Sequence, residues 1–337
     1  MNAISPGYKV PIAVTLLTVP LFLAAYLCEC AESTGSRGAK ENPKKTITVG
    51  FSQIGAESAW RTAETESIRS EAAKRGVNLK FSDAQQKQEN QIKALGVFIA
   101  QKVDAIILAP KVEDGWEPIL KRAKLAKIPV ILVDRGVNVS DDSLYSTLIA
   151  SDFVAEGRMA GQWLAKKLDG KGSVVELQGT TGAAPAIDRK KGFEEALKNY
   201  PDMKISRSQS GDFNRAGGKQ VMEAFLKAAQ GGNTKIDAVY AHNDDMALGA
   251  IQAIEEAGLK PGSDIVVVSI DGVKGAFEAM VAGKLNCSVE CNPLLGPAAF
   301  DAVEAVVSGK PLPKKTIVKD RLFDQSIAKD VIGTRQY

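Results

Sequence analysis

The chain has 337 residues, 45% hydrophobic and 25% charged, with a formal charge of +3. That length exceeds one ordinary core and fits two domains of typical size. The charges alternate in sign, with no basic arm and no aromatic–basic stripe, which argues against a nucleic-acid partner.

The first element is the apolar run 10–27 (VPIAVTLLTVPLFLAAYL), preceded by Lys9 and followed by small and polar residues. It reads as a secretory signal peptide over 1–30, with a polar linker at 31–45. A retained membrane anchor is the competing reading, because the run is about as long as a short span. Cys28 and Cys30 raise the possibility of a lipid, but Leu27 and Glu29 are poor residues to precede them, so lipid anchoring is not favoured.

From residue 46 strands and helices alternate. TITVGF (46–51) predicts a strand, and 59–75 a helix that stops at Gly76. Strands are expected at 77–81, 103–109 and 128–133, with helices at 88–101 and 116–126 between them. Segment 144–152 is the first candidate crossing between halves. The pattern then restarts: helix 153–168, strand 173–178, helix 187–199, strand 203–208, helix 215–229, strand 236–241, helix 244–257 and strand 265–270. After Gly283 come another strand, a helix at 292–308 and the Pro-rich KPLPKKT, late elements that can return to the first half. Buried, non-alternating strands separated by helices imply a parallel sheet with helices on both faces. The fold class is therefore α/β, with two doubly wound lobes.

Ligands of open parallel sheets bind beyond the carboxyl ends of the strands. Those ends carry Ser52-Gln53, 83–86, Asp134-Arg135, 179–182, 242–244 and Asp271-Gly272, rich in Asp, Asn, Gln and Arg. Gly50-Phe-Ser-Gln-Ile-Gly55 lacks the Lys-Ser/Thr that completes a phosphate loop, and 179–182 lacks dinucleotide spacing. His242 is the single histidine and no Gly-x-Ser-x-Gly elbow occurs, so a Ser-His-Asp hydrolase is poorly supported. Cys287 and Cys291 lack histidine partners, so no metal or other cofactor is expected. In an extended strand they stand about 13 Å apart, so a disulfide needs a sharp bend between them. What remains is polyol binding. Carboxylates accept from adjacent hydroxyls, guanidinium forks donate to them, and an aromatic face covers the C–H face of a ring.

VDAIILAP (103–110), PVILVDR (129–135), AIDRKKGFEEAL (186–197), YAHNDDMALGAIQAIEEAGL (240–259) and SIDGV (269–273) resemble, in order, the periplasmic sugar-binding proteins of ribose and galactose ABC importers. Within that family, VGFSQIGAESAWRTAETES (49–67), DAQQKQENQIKA (83–94), GWEPIL (115–120), ELQGTTGA (176–183) and RSQSGDFNRAGGK (207–219) resemble the galactofuranose-binding type. That type has cysteines where this chain reads KGSVVEL and TKIDAVYA, a departure that touches no sugar-binding position. The resemblance covers 46–310 and implies two lobes, 46–149 with 291–320 and 150–290 with 321–337, joined by three hinge segments. It implies ligand residues at Trp60, which packs on the sugar, and at Glu57, Ser58 and Arg61 of the same loop. It extends them to Gln86 or its neighbour Gln85, Asp134, Arg135, Arg189, Phe213, Asn243, Asp271 and the hinge acid Glu290. The implied function is a monomeric, non-catalytic periplasmic protein that captures a monosaccharide, galactofuranose first, and passes it to an inner-membrane permease. Galactose, arabinose or ribose are alternative ligands. A sugar-responsive regulator would begin with a helix-turn-helix, which this chain does not. A sugar-processing enzyme would need a carboxylate pair such as Asp134 and Asp271 at catalytic separation.

Overall fold

The computed structural model describes residues 46–232 and 234–337, so the expected signal peptide and linker lie outside it. The chain runs β1 (Thr48–Gln53), α1 (Ala59–Lys74), β2 (Asn78–Asp83), α2 (Gln88–Ala100), β3 (Ala105–Leu108), α3 (Glu117–Leu125), β4 (Val130–Val133) and β5 (Thr147–Ser151). It continues with α4 (Phe153–Lys167), β6 (Lys171–Gln178), α5 (Ala184–Leu197), β7 (Asp202–Ser210), α6 (Arg215–Gly232), β8 (Ala238–Ala241), α7 (Asp244–Glu256), β9 (Val266–Asp271), α8 (Lys274–Val281) and β10 (Cys287–Glu290). It closes with α9 (Gly296–Val307), β11 (Lys315–Val318), β12 (Leu322–Asp324) and α10 (Gln325–Val331).

Two six-stranded sheets result, ordered β2-β1-β3-β4-β5-β11 and β7-β6-β8-β9-β10-β12. All pairings are parallel except β10 with β12. In each sheet the strand order reverses beside the first strand, which opens a crevice at its carboxyl end. The apolar runs have the cause expected for doubly covered strands. On β3, Ala105 and Ile107 join a cluster with Phe51 and Phe300, whereas Ile106 and Leu108 join Leu95, Phe98 and Trp116 on the other face.

Sheet membership changes two expectations. Segment 144–152 is mostly strand: Thr147–Ser151 pair with β4 and β11, so the first sheet extends past the expected boundary at 149. The chain changes sheets between Ser151 and Phe153, between Glu290 and Gly296, and between Val318 and Leu322. Strands also emerge from the weakly patterned tail. β11 is a largely exposed edge strand, KTIV, and β12 is three residues long, so neither carries a buried-strand signature.

The packing of α4 on α5 sets up the site. A Cβ at Gly192 would lie 2.0 Å from the Val154 carbonyl oxygen, and one at Gly157 would lie 2.0 Å from that of Arg189. Only glycine permits this approach, and it seats Arg189 on the cleft side of α5. Gly192→Ala should therefore lower stability by about 1–3 kcal/mol through overpacking, read as a fall in the denaturant midpoint at unchanged m-value.

Candidate functional site

The first wall grows from the loop after β1. Ser58 caps α1, its Oγ accepting from the Arg61 amide at 3.1 Å. That cap aims the first helical turn, Trp60 and Arg61, at the cleft. Arg61 is fully buried and donates to three acids: Nη2 to Asp134 Oδ2 at 2.7 Å, Nε to Glu57 Oε1 at 3.0 Å and Nη1 to Glu64 Oε2 at 2.5 Å. Asp134 follows β4 with φ +63° and is held there by its amide bond to the Ile149 carbonyl. Arg135 donates through Nη1 to the Lys111 carbonyl at 2.9 Å. Its buried Nε makes no hydrogen bond, although Asp134 Oδ2 lies 3.3 Å away. The adjacent acid and base are thus not a closed pair: Asp134 is bonded to Arg61, and Arg135 keeps donor capacity.

The second wall is built on β7, β8, β9 and α5. Arg189 donates through Nε to Glu156 Oε2 at 2.7 Å and through Nη1 to the His242 carbonyl at 2.6 Å. Its Nη2 reaches toward Asp271 Oδ1 at 3.6 Å, longer than a hydrogen bond. Asn243 caps α7, accepting from the Met246 amide at 3.1 Å and donating to the Phe213 carbonyl at 3.0 Å. Phe213 has φ +59°, costly for a bulky residue, and its ring lies where a Gly179 side chain would be, 1.9 Å from the position of a Cβ. Behind this wall His242 Nδ1 accepts from the Gly179 amide at 3.3 Å, which leaves the proton on Nε2, facing Glu176 Oε1 at 3.1 Å. The lone histidine is structural: it holds the Gly179 loop against which the Phe213 ring packs, and burial lowers its pKa.

The two walls meet around one narrow, partly open space. Ten of the twelve expected residues line it: Glu57, Ser58, Trp60, Arg61, Asp134, Arg135, Arg189, Phe213, Asn243 and Asp271. Pro185 and Cys291 line it as well and were not anticipated, since neither carries a sugar-binding signature in sequence. Two expected residues do not line it. Gln86 stands behind the wall, donating to Glu57 Oε2 at 2.5 Å, and Gln85 is on the exposed side of that turn. Glu290 turns away from the cavity and accepts from Arg335 Nη1 at 2.7 Å, a partner in the tail that periodicity does not reveal. The lobes are closed on each other. Trp60 Nε1 donates to the Cys291 carbonyl at 2.6 Å, the Ala59 amide to Asp245 Oδ2 at 2.8 Å and the Glu113 amide to the Gly182 carbonyl at 3.0 Å. The Arg135 guanidinium lies 5.1 Å from the Phe213 ring centre across the gap.

The electrostatics are those of a site waiting for hydrogen-bond partners. Burial pushes the Asp271 carboxyl well above its usual range; Arg189 opposes this, while Asp244 and Glu156 add to it. Burial likewise raises Glu64 to about 7 against the pull of Arg61. Burial, then repulsion from Arg61, pulls Arg135 down to about 10. Buried acceptors and donors with incomplete partners suit a neutral ligand dense in hydroxyls. Cys287 and Cys291 are buried free thiols, and no cluster among the described residues could hold a metal ion.

Two parallel-sheet lobes closed over a cavity at their strand ends define a periplasmic binding protein. The profile of the periplasmic binding protein domain matches residues 49–311, and the chain belongs to that family. It is 57% identical to the galactofuranose-binding protein YtfQ of Escherichia coli K12, over 86% of this chain and 92% of that protein. A solved arabinose ABC-transporter binding protein of Shewanella sp. ANA-3, bound to α- and β-L-arabinofuranose, is 56% identical over 86% of this chain and 96% of that one, with a TM-score of 0.84. A Mycobacterium smegmatis structure in complex with β-D-fucofuranose is 52% identical over 87% of this chain and 96% of its own, also with a TM-score of 0.84. The Escherichia coli and Shewanella relatives are binding proteins, and this chain is a substrate-binding component, not an enzyme. No described helix is long and apolar enough to cross a membrane.

Proposed function

We propose that the protein captures a monosaccharide in its furanose form, galactofuranose first, between the lobes and delivers it to an inner-membrane ABC permease as an exported, periplasmic monomer. The carrying observation is the narrow space between the lobes whose wall combines Trp60 and Phe213 with Arg135, Arg189, Asp134 and Asp271. Relatives named for galactofuranose, arabinofuranose and fucofuranose support the five-membered ring. In this reading the aromatic rings take the C–H faces, Asp271 and Asp134 accept from hydroxyls, and Arg135 and Arg189 donate to ring and hydroxyl oxygens. Ligand favours the closed state because only there do both walls reach it.

Calorimetric titration of the mature protein with galactofuranose, galactose, arabinose and ribose tests this. Binding heat and a raised thermal midpoint with at least one of them are expected, galactofuranose being the tightest. No heat and no stabilisation with any of the four would sink the proposal. Trp60→Ala should weaken every sugar that binds by a similar factor, since a ring face reads shape and not hydroxyl pattern. A loss confined to one sugar would assign Trp60 a different role.

A further inference from the structure

The tail bears on the site in a way that the cavity wall does not reveal. Arg335 follows the last helical turn, and its guanidinium enters a cage of three rings, 5.0 Å from the centre of Phe277, 5.1 Å from Phe323 and 4.5 Å from Tyr337. Only 5% of its side chain is exposed. It donates through Nη2 to the Gly272 carbonyl at 2.7 Å and through Nη1 to Glu290 Oε1 at 2.7 Å, and Tyr337 Oη donates to the same Glu290 oxygen at 3.1 Å. The Lys274 amide donates to the Tyr337 carbonyl at 2.6 Å, which fixes the segment to the start of α8.

The two acceptors of Arg335 sit at the ends of neighbouring strands. Glu290 is in register with Asp271 on β9, and the Cys291 amide donates to the Asp271 carbonyl at 3.1 Å. One strand end presents the Asp271 carboxylate to the cavity. The other leads through Cys291 into the hinge, where the Cys291 carbonyl accepts from Trp60 Nε1 of the first lobe. The turn between Asp271 (φ +133°) and Gly272 (φ +72°) is in a conformation that a non-glycine residue rarely adopts, so something must hold it. A charged fork is suited to this, because it binds two acceptors at a fixed separation.

We propose that Arg335 is a positioning residue for sugar binding. It clamps the Asp271 turn to the Glu290 hinge strand, so that the Asp271 carboxylate and the Cys291–Trp60 closure contact are set together. This rests on the sugar-binding reading above and extends it to a residue that touches no ligand. Its loss should fall mainly on release, because affinity changes within one binding site act chiefly on the dissociation rate.

The test uses the full mature chain with L-arabinose and D-galactose as probes, following association and dissociation by stopped-flow fluorescence and folding by circular dichroism. Arg335→Ala should raise the dissociation rate about tenfold or more and leave association within about threefold, as expected for lost hydrogen bonds to a charged group. Arg335→Lys keeps the charge beside Glu290 but cannot hold both acceptors, and should fall between; it carries the test if the alanine variant folds poorly. A merely structural role would lower affinity by the same factor whether or not Asp271 is intact. A positioning role requires that Arg335→Ala add less than about twofold to the loss in Asp271→Asn, because coupled residues are not additive. Unchanged dissociation in both Arg335 variants, or equal factors in the two backgrounds, would overturn the proposal while leaving sugar binding standing. A wild type silent toward these two probes and toward galactofuranose and ribose as well would overturn both.

Discussion

Asp271→Asn will lower sugar affinity by about tenfold or more while raising the thermal midpoint of the sugar-free protein. The two effects have one origin. Asp271 is 3% exposed, and its nearest cation, Arg189 Nη2, stands at 3.6 Å. Burial therefore raises its carboxyl pKa, so this carboxyl costs stability wherever the unfolded chain has already ionised it. The sign follows from linkage. The folded state holds this proton more tightly than the unfolded state, so stability falls as pH rises from the unfolded toward the folded pKa. An amide removes that penalty. It also replaces a charged acceptor, worth about 1.5–3 kcal/mol toward hydroxyl donors, with a neutral one. Sugar binding to the wild type should release a fraction of a proton that Asp271→Asn does not release, measurable by calorimetry in buffers of different ionisation enthalpy. Wild-type affinity in the variant, or an unchanged apo midpoint, would show that Asp271 does not face the ligand.

The doubly covered strands were legible because burial on both faces leaves a continuous apolar run such as Val130–Val133, which does not depend on distant partners. Helices closed by Gly76 and Gly258 were legible for a similarly local reason. β5, β11 and β12 were not. The first lies in the segment taken as a crossing between halves, the second is an exposed edge and the third pairs only through β10. The polar strand ends pointed to the cleft, yet sequence does not say how their charges pair. Asp134 and Arg135 stay within 3.3 Å of each other, yet the hydrogen bond of Asp134 goes to Arg61, 73 residues earlier, and Arg135 faces the cavity with Nε free of hydrogen bonds. Glu290 was placed at the hinge by resemblance and turned outward by Arg335, a contact across 45 residues that no spacing rule contains. Ser58 and Asn243 carry a second lesson. Each caps the helix that begins the wall, so one side chain both starts a helix and borders the cavity.

The largest loss of stability is expected at Arg61. Its guanidinium is the common partner of Glu57, Glu64 and Asp134, all inside the protein. Arg61→Met keeps most of the volume and strands these carboxylates with only Arg135 nearby, and removing one partner of a buried ion pair costs about 3–5 kcal/mol. Burial already holds Glu64 at about 7 in the wild type, and Arg61 is the group that keeps it from rising further. In the variant Glu64 stays protonated to higher pH. Below about 7 both proteins keep the Glu64 proton in the fold and change stability in parallel; above it the wild type releases the proton, whereas the variant, with a still higher folded pKa, goes on losing stability as pH rises. The gap in unfolding free energy between wild type and Arg61→Met should therefore be widest near pH 8 and narrow by pH 5. Adding Glu64→Leu should recover part of the loss at pH 8, since an apolar pair of similar volume replaces a buried ion pair at little cost. Denaturant melts of the three proteins across this range provide the check. A gap that does not change with pH, or a double variant no more stable than Arg61→Met, would show that the buried acids are not held by Arg61.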